Sequence, residues 1–444
     1  MILTLEIYYM ATKIFSRDFH NVSRKNIDGD ALRILYKLYD SGHTAYLVGG
    51  GVRDMLLNRA PKDFDISTSA RPAQIRCMFG NCRLVGKRFR LAHIYCGKNG
   101  KIIEVSTFRR NPEFVNEVSE GEEFDGGDGG IIPDNTFGCP EEDAKRRDFT
   151  VNGLFYDIGS YSIIDFVGGM QDLKDGIVRS IGDPEIRFKE DPVRMLRAIK
   201  FCAKLDFNME KETWKAIYNN RRYINSASTP RVQEELMRFL EYDRAERSFE
   251  LLLKSGLMTI LMPHFIDYLR QARDGKVPSD PHCEYFWQTL ELCDSMQLSR
   301  RGDRQLLAAV ISLPLFLQAF DQAEQGGLDL NDFGNTEWIA EAVGRCCECF
   351  GFCRHSQDKI IQYYNLLRRI ILFDRKKTKL KEVTAKAHFS EAFVLYQILY
   401  GLKAIDENDY IFWRGAYDKS AAKTSVSAAD RIERKAGCSP ERAQ

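Results

Sequence analysis

The sequence predicts an α+β protein, with a strand-rich N-terminal third followed by a helical remainder. Three observations predict it. Short apolar or alternating runs recur between Thr44 and Phe108: "TAYLVGG", "KDFDIST", "CRLVGKRF", "RLAHIYCG" and "KIIEVSTF". From "DAKRRDFTVNGLFY" onward the apolar residues fall mostly at helical spacing. At 444 residues the chain is too long for one ordinary core, so two to four domains are expected.

The elements follow in order. "DALRILYKLYDSG" sets Leu32, Leu35, Leu38 and Tyr39 on one helical face and stops at Gly42. "TAYLVGG" reads as a buried strand feeding a glycine turn, and Val52 to Arg59 as a short helix. After the strand "KDFDIST", Ser69 and Pro72 supply the cap and first turn of a helix that ends at Gly80. Three strands come next, the last two joined by the hairpin signal "KNGK". Asn116 to Gly130 is acidic and glycine-rich, the composition of an inserted flexible loop. "SIIDF" and "IVRSI" read as a strand pair bracketing "VGGMQDLKDG". Beyond about Glu185 the pattern is helical, and the small, polar stretch 421–444 is expected to be disordered.

Composition narrows the function. The chain is 44% hydrophobic and 29% charged, with a formal net charge of +1, so any nucleic-acid contact must come from local basic patches. Its 12 cysteines are scattered and include the adjacent Cys346 and Cys347, which fits a reduced, cytoplasmic setting. The apolar opening "MILTLEIYYM" contains Glu6, has no basic flank and is too short to span a membrane, and no other stretch is expected to reach transmembrane length.

The chemistry concentrates in "LVGGGVRDMLLNRAPKDFDIST", residues 47–68. On a strand, Asp63 and Asp65 project to one face while Phe64 and Ile66 turn to the core. Two adjacent carboxylates repel unless a cation lies between them, and magnesium is the natural occupant. Glu104 of "KIIEVSTF" is a third carboxylate of the same kind. Taken alone, a D-x-D is more often a solvated strand face. The turn at Gly49, Gly50 and Gly51 alters that balance. It ends a strand and opens a helix, so backbone N–H groups can approach a phosphate, and Arg53 can add a charged contact. A tight strand–helix turn is the plainer alternative. The pattern is neither a P-loop nor a dinucleotide fingerprint. Together these features point to metal-assisted phosphoryl or nucleotidyl transfer.

"VGGGVRD" followed by "KDFDIST" resembles the signature of the nucleotidyltransferase family that holds tRNA CCA-adding enzymes and bacterial poly(A) polymerases. "EEDAKRRDFTVNGLFYD" resembles that family's Arg-Arg-Asp motif, and "EDPVRMLRAIKFCAKLDF" its nucleotide-reading helix. The resemblance implies a nucleotidyltransferase head with a small, five-stranded mixed sheet, then a helical neck, body and tail. The expected boundaries are an N-terminal extension over 1–27, the head over 28–165, the neck over 166–268 and the body and tail over 269–420. It implies that Asp63, Asp65 and Glu104 hold two magnesium ions, and that Arg147 and Asp148 place the nucleotide and support catalysis. The substrates implied are ATP and RNA 3′ ends, with no obligate protein partner.

Asp191 and Arg194 are three residues apart, which on a helix gives one face. An acceptor and a donor side by side match the edge of adenine or of cytosine, and mismatch uracil and guanine. The plainer alternative is a helix cap at Asp191 and a surface ion pair at Arg194. The pair admits both ATP and CTP. The subgroup is read from "LVGKRFRLAH", where Lys87, Arg88 and Arg90 surround Phe89, a pattern suited to an RNA 3′ end or a triphosphate. That segment resembles the bacterial poly(A) polymerase version of the strand, and the insertion between Phe108 and Phe137 resembles the same subgroup. The chain departs from that subgroup in its short, mixed C-terminal stretch. "RCCECFGFCRH" offers Cys346, Cys349, Cys353 and His355 to zinc, but the spacing suits core and surface cysteines on one helix better. "RRIILFDRKKTKLKEVTAK" is basic and fits either RNA phosphates or a solvated helix and loop. The leading expectation is therefore a template-independent poly(A) polymerase. A CCA-adding enzyme is the runner-up, and a non-catalytic RNA-binding relative the third reading.

Overall fold

The alternating segments assemble into one mixed sheet. The computed structural model describes residues 12–86, 90–97, 100–110, 137–271, 282–374 and 378–436. The strands are β1 (Lys13–Phe15), β2 (Ala45–Val48), β3 (Asp65–Thr68), β4 (Cys82–Val85), β5 (Leu91–Cys96), β6 (Lys101–Thr107), β7 (Leu154–Asp157) and β8 (Ser162–Asp165). Their order across the sheet is β1-β8-β7-β2-β3-β6-β5-β4. β3 and β6 are parallel, with Ile66 opposite Val105, and the remaining pairs are antiparallel.

The sheet has eight strands, not the five expected. β1 comes from the predicted N-terminal extension, and "LFYD" forms β7 directly after the Arg-Arg-Asp motif. β8 pairs with β7 and β1, so "SIIDF" and "IVRSI" are not partners. Instead Ile177–Val178 (β9) pairs in parallel with Asn208–Met209 (β10). Only the sheet's hydrogen-bond partners decide this, because each run is short enough to pair with several others.

Helices cover the sheet: α1 (Gly29–Asp40), α2 (Gly50–Leu56), α3 (Pro72–Met78), α4 (Pro140–Lys145) and α5 (Gly169–Asp175). Asp28 caps α1 through the N–H groups of Asp30 and Ala31. α3 starts at Pro72 behind Arg71, whose N–H donates to Gln74 at 2.8 Å; Ser69 is not its cap and instead accepts the Thr44 N–H at 3.0 Å. Asp165 ends β8 almost fully buried, and its carboxylate accepts four backbone N–H groups, from Val167, Gly168, Gly169 and Met170, at 2.8–3.0 Å. That ties α5 to the sheet. Val48, Phe108, Ala144, Phe155, Ile164, Val167 and Ile181 form one buried cluster under the glycine turn. α6 (Pro184–Glu190), α7 (Val193–Leu205) and α8 (Lys211–Asn220) complete the first compact unit, which ends at Asn220. The division falls inside the segment expected to be the neck.

The second unit, from Arg221 onward, is helical: α9 (Thr229–Phe239), α10 (Ala245–Lys254), α11 (Leu257–Leu261), α12 (Pro263–Gln271), α13 (His282–Ser295), α14 (Arg304–Gln325), α15 (Glu337–Cys349), α16 (Arg354–Ile371), α17 (Leu380–Thr384), α18 (Phe389–Gly401) and α19 (Glu407–Ala436). α14 is long and apolar enough to cross a membrane by length and composition, contrary to the sequence reading. It is the central helix of this unit, packed by α13, α15, α16 and α18, and 61% of its apolar window is buried. The segment 421–444 is not wholly irregular either, since α19 runs to Ala436. Its alanines, lysines and arginines are good helix formers. Cys346 and Cys347 are buried, and burial pushes the Cys346 thiol well above its usual range; Cys353 is exposed. Arg368, the first residue of the basic segment, is fully buried and donates to the carbonyl oxygens of Asp332 and Asn335.

Candidate active site

The site lies wholly within the first unit. β2 runs into Gly49, whose φ of 70° and ψ of −137° are open to glycine and strained for any other residue. A Cβ there would lie 3.1 Å from Arg147 Nη1 and 3.8 Å from Asp65 Oδ2. At Gly51 a Cβ would come within 3.1 Å of the Asp63 carbonyl oxygen. The turn is thus shaped by close approach. Arg147 and Asp65 border Gly49, and the Asp63 backbone borders Gly51.

Asp63 precedes β3 and is exposed, while Asp65 is the strand's first residue and sits opposite Val48. Burial, and then the Glu104 carboxylate, push Asp65 up to about 6; Arg147 pulls it down and Asp63 raises it further. Glu104, on β6, is half-exposed and lies 3.6 Å from His93 Nε2 on the neighbouring strand. The three predicted carboxylates therefore lie together, Asp65 and Glu104 side by side on the adjacent inner strands β3 and β6 and Asp63 just before β3. Among the described residues no three His, Cys, Asp or Glu side chains close into a ready metal cage. The donor set is nonetheless hard oxygen with an excess of negative charge. That fits a magnesium site in which one or two carboxylates bind and substrate phosphates fill the remaining positions.

Arg147 follows α4 and is held in place by Asp143, one turn earlier, at 3.1 Å and by the Ser67 hydroxyl at 3.3 Å. Its guanidinium lies 5.1 Å over the Phe155 ring. Arg147 thus places a guanidinium beside the glycine turn.

Arg53 lies beside the glycine turn with its hydrogen bonds already made. It is 2% exposed, its Nε and Nη2 donate to Asp54 Oδ1 at 2.8 and 2.6 Å, and its Nη1 donates to Asn152 at 2.5 Å. That guanidinium flanks the turn, since a Cβ at Gly50 would lie 3.5 Å from its Nη2, and its hydrogen bonds go to Asp54 and Asn152. Asp148 is similarly engaged. It accepts from Arg197 Nε at 2.8 Å, from Asn152 at 3.0 Å and from the Phe149 N–H at 2.8 Å. Burial alone would raise it, but Arg197 and these donors hold it down at about 2. Arg53, Asn152, Asp148 and Arg197 form one chain of contacts from the glycine turn to α7. Asp148 is the acceptor at the centre of that chain.

Asp191 and Arg194, expected to read the base, differ from the expectation in one respect. Asp191 is not helical: its φ of −141° and ψ of 89° put it between α6 and α7, so it shares no helix face with Arg194. Pro192 is the N-cap of α7, with no side-chain cap bond. The Arg194 N–H donates to the Asp191 carbonyl at 3.0 Å, which keeps the two adjacent. The Arg194 guanidinium is mostly buried; burial and then nearby Arg187 loosen its hold on its proton, and its buried Nη1 makes no hydrogen bond. Arg90 is exposed beyond β4, and Lys87 and Arg88 lie outside the described residues.

Sequence reasoning missed Asp143, Asn152, Arg187 and Arg197. Two of them carried a helical-spacing signal, since Asp143 is four residues before Arg147 and Asn152 four after Asp148.

Comparison with known proteins agrees with this geometry. A family model described as the Poly A polymerase head domain matches residues 45–179. A second, described as the probable RNA and SrmB-binding site of polymerase A, matches residues 206–269. Poly(A) polymerase I of Escherichia coli is 42% identical over 322 residues, covering 72% of this chain and 67% of that protein. The CCA-adding enzyme of Lactobacillus helveticus is 36% identical over 235 residues, covering 51% and 53%. A solved structure of the Bacillus stearothermophilus CCA-adding enzyme in complex with CTP shares the fold, with a TM-score of 0.58 and 23% identity, over 88% of this chain and 82% of that one. With the glycine turn, the paired aspartates and Arg147 together in the matched head, the chain belongs to the bacterial poly(A) polymerase branch of the tRNA nucleotidyltransferase and poly(A) polymerase family.

Proposed function

We propose that this chain is a template-independent poly(A) polymerase that transfers AMP from ATP to RNA 3′ ends and releases pyrophosphate. The observation that supports it most is the meeting of the Arg147 guanidinium and the Asp65 carboxylate at the Cβ-less face of Gly49. A triphosphate needs a cation and a close backbone there, and the attacking 3′-hydroxyl needs an acidic edge alongside. Asp63 and Asp65, with Glu104 beside them, would hold two magnesium ions, which lower the pKa of the 3′-hydroxyl and neutralise the leaving pyrophosphate. Arg147 binds and orients the phosphates. Asp191 and Arg194 accept from and donate to the adenine edge, with the Arg194 guanidinium held 3.6 Å from Glu190.

A CCA-adding reaction is the second reading, because the same pair matches cytosine as well as adenine. The greater identity and longer match to poly(A) polymerase I favour adenylation. A cytoplasmic role in RNA turnover, without an obligate protein partner, fits this activity, and the described cysteines are all free thiols. The test is to incubate the protein with ATP, CTP or both, on unrelated RNA and on tRNA lacking its CCA end. Long A tracts on unrelated RNA are expected. A CCA end added only to tRNA selects the second reading.

A further inference from the structure

Arg187 lies on α6, one turn ahead of Asp191, and is 8% exposed. Its Nη2 donates to the carbonyl oxygens of Arg146 at 2.7 Å and Arg147 at 3.0 Å. Its Nη1 donates to Glu190 Oε2 at 2.9 Å, and that same oxygen lies 3.6 Å from Arg194 Nη1. Its own carbonyl accepts the Asp191 N–H at 3.2 Å. The Arg187 side chain therefore touches the backbone that carries Arg147 and reaches Arg194 through one carboxylate, while its main-chain carbonyl closes the last turn of α6 on the Asp191 N–H.

The charge pattern is costly for a residue that only fills space. Two guanidiniums share a mostly buried corner, with Glu190 between them. An apolar side chain would pack α6 without like-charge repulsion. A planar fork bonded at once to two carbonyls and a carboxylate fixes direction as well as distance, which a lysine ammonium does not. We infer that Arg187 is a positioning residue that sets the span between the phosphate end of the site, through the Arg147 backbone, and the base-reading end, through Glu190 and Arg194. This rests on the reading of Asp191 and Arg194 as the base-reading pair.

The test uses the full chain carrying Arg187→Gln, Arg187→Lys, Glu190→Gln or Asp191→Ala. For each, kcat and KM are measured for all four nucleoside triphosphates on one RNA primer, beside a melting curve. Arg187→Gln should raise KM for ATP about tenfold or more and narrow the preference for ATP over GTP and UTP. Arg187→Lys should recover only part. Glu190→Gln, at a side chain 42% exposed, should narrow the preference with the melting temperature unchanged. If Asp191→Ala narrows the ranking while Arg187→Gln and Glu190→Gln change neither KM nor ranking, the positioning role is overturned and the base reading stands. A lower melting temperature alone in Arg187→Gln overturns it equally. If Arg187→Gln does not fold, the Glu190→Gln ranking decides. An unchanged ranking in Asp191→Ala removes the base reading and this inference with it.

Discussion

Asp148 and Arg197 form an ion pair, with Arg197 Nη2 and Nε at 2.5 and 2.8 Å from one carboxylate oxygen, and it joins the Arg-Arg-Asp segment to α7. Its stability should depend on pH. The folded Asp148 titrates at about 2, below its ordinary 3.8, so the pair stabilises the fold above about pH 4 and the gain drains away as pH falls toward 2. The difference is worth about 2 kcal/mol. Denaturant melts of wild type and Asp148→Asn should differ at pH 7 and converge near pH 2. A constant gap across that window would show that the pair is not the source.

The glycine turn makes a sharper demand. Gly49→Ala puts a Cβ 3.1 Å from Arg147 Nη1 on a backbone that disfavours it. A loss of about 1–3 kcal/mol is expected from the strained backbone, together with a larger loss of kcat/KM for ATP as Arg147 is displaced. Gly29→Ala has open space and serves as the control. Equal kinetic effects of the two would separate the turn from the chemistry.

Arg53 should act through stability. Its guanidinium is bonded to Asp54 and Asn152 beside the turn, and breaking a buried charge pair costs about 3–5 kcal/mol. Arg53→Met should lower the melting temperature markedly, with KM for ATP in the remaining folded enzyme near wild type at low temperature. A large rise in KM with normal melting would restore the direct phosphate contact.

The carboxylates should behave in the opposite way. Asp63→Ala and Asp65→Ala are expected to abolish nucleotide addition without loss of stability. Burial and Glu104 already disfavour the Asp65 charge, so Asp65→Asn relieves a cost. Magnesium-dependent extension that survives in either mutant would remove it from the metal site.

The sequence by itself determined the strands carrying Asp65 and Glu104, the glycine turn before them and the helical second half. Those rest on local signals: alternation, glycine punctuation and helical spacing. It also brought together Asp63 and Asp65, which share one motif, whereas Arg147 reaches Gly49 and Asp65 only through the fold. Only the tertiary structure decided that β7 and β8 extend the sheet, that Arg53 faces inward, and that Asp191 stands outside the helix. The inward turn of Arg53 and the anchoring of Asp148 depend on partners far along the chain. Arg53 meets Asn152, 99 residues away, and Asp148 meets Arg197, 49 residues away. An arginine beside a glycine turn reads the same whether its charge is spent on a buried acceptor or offered to a phosphate. The choice is made by which polar groups the packed core leaves unpaired.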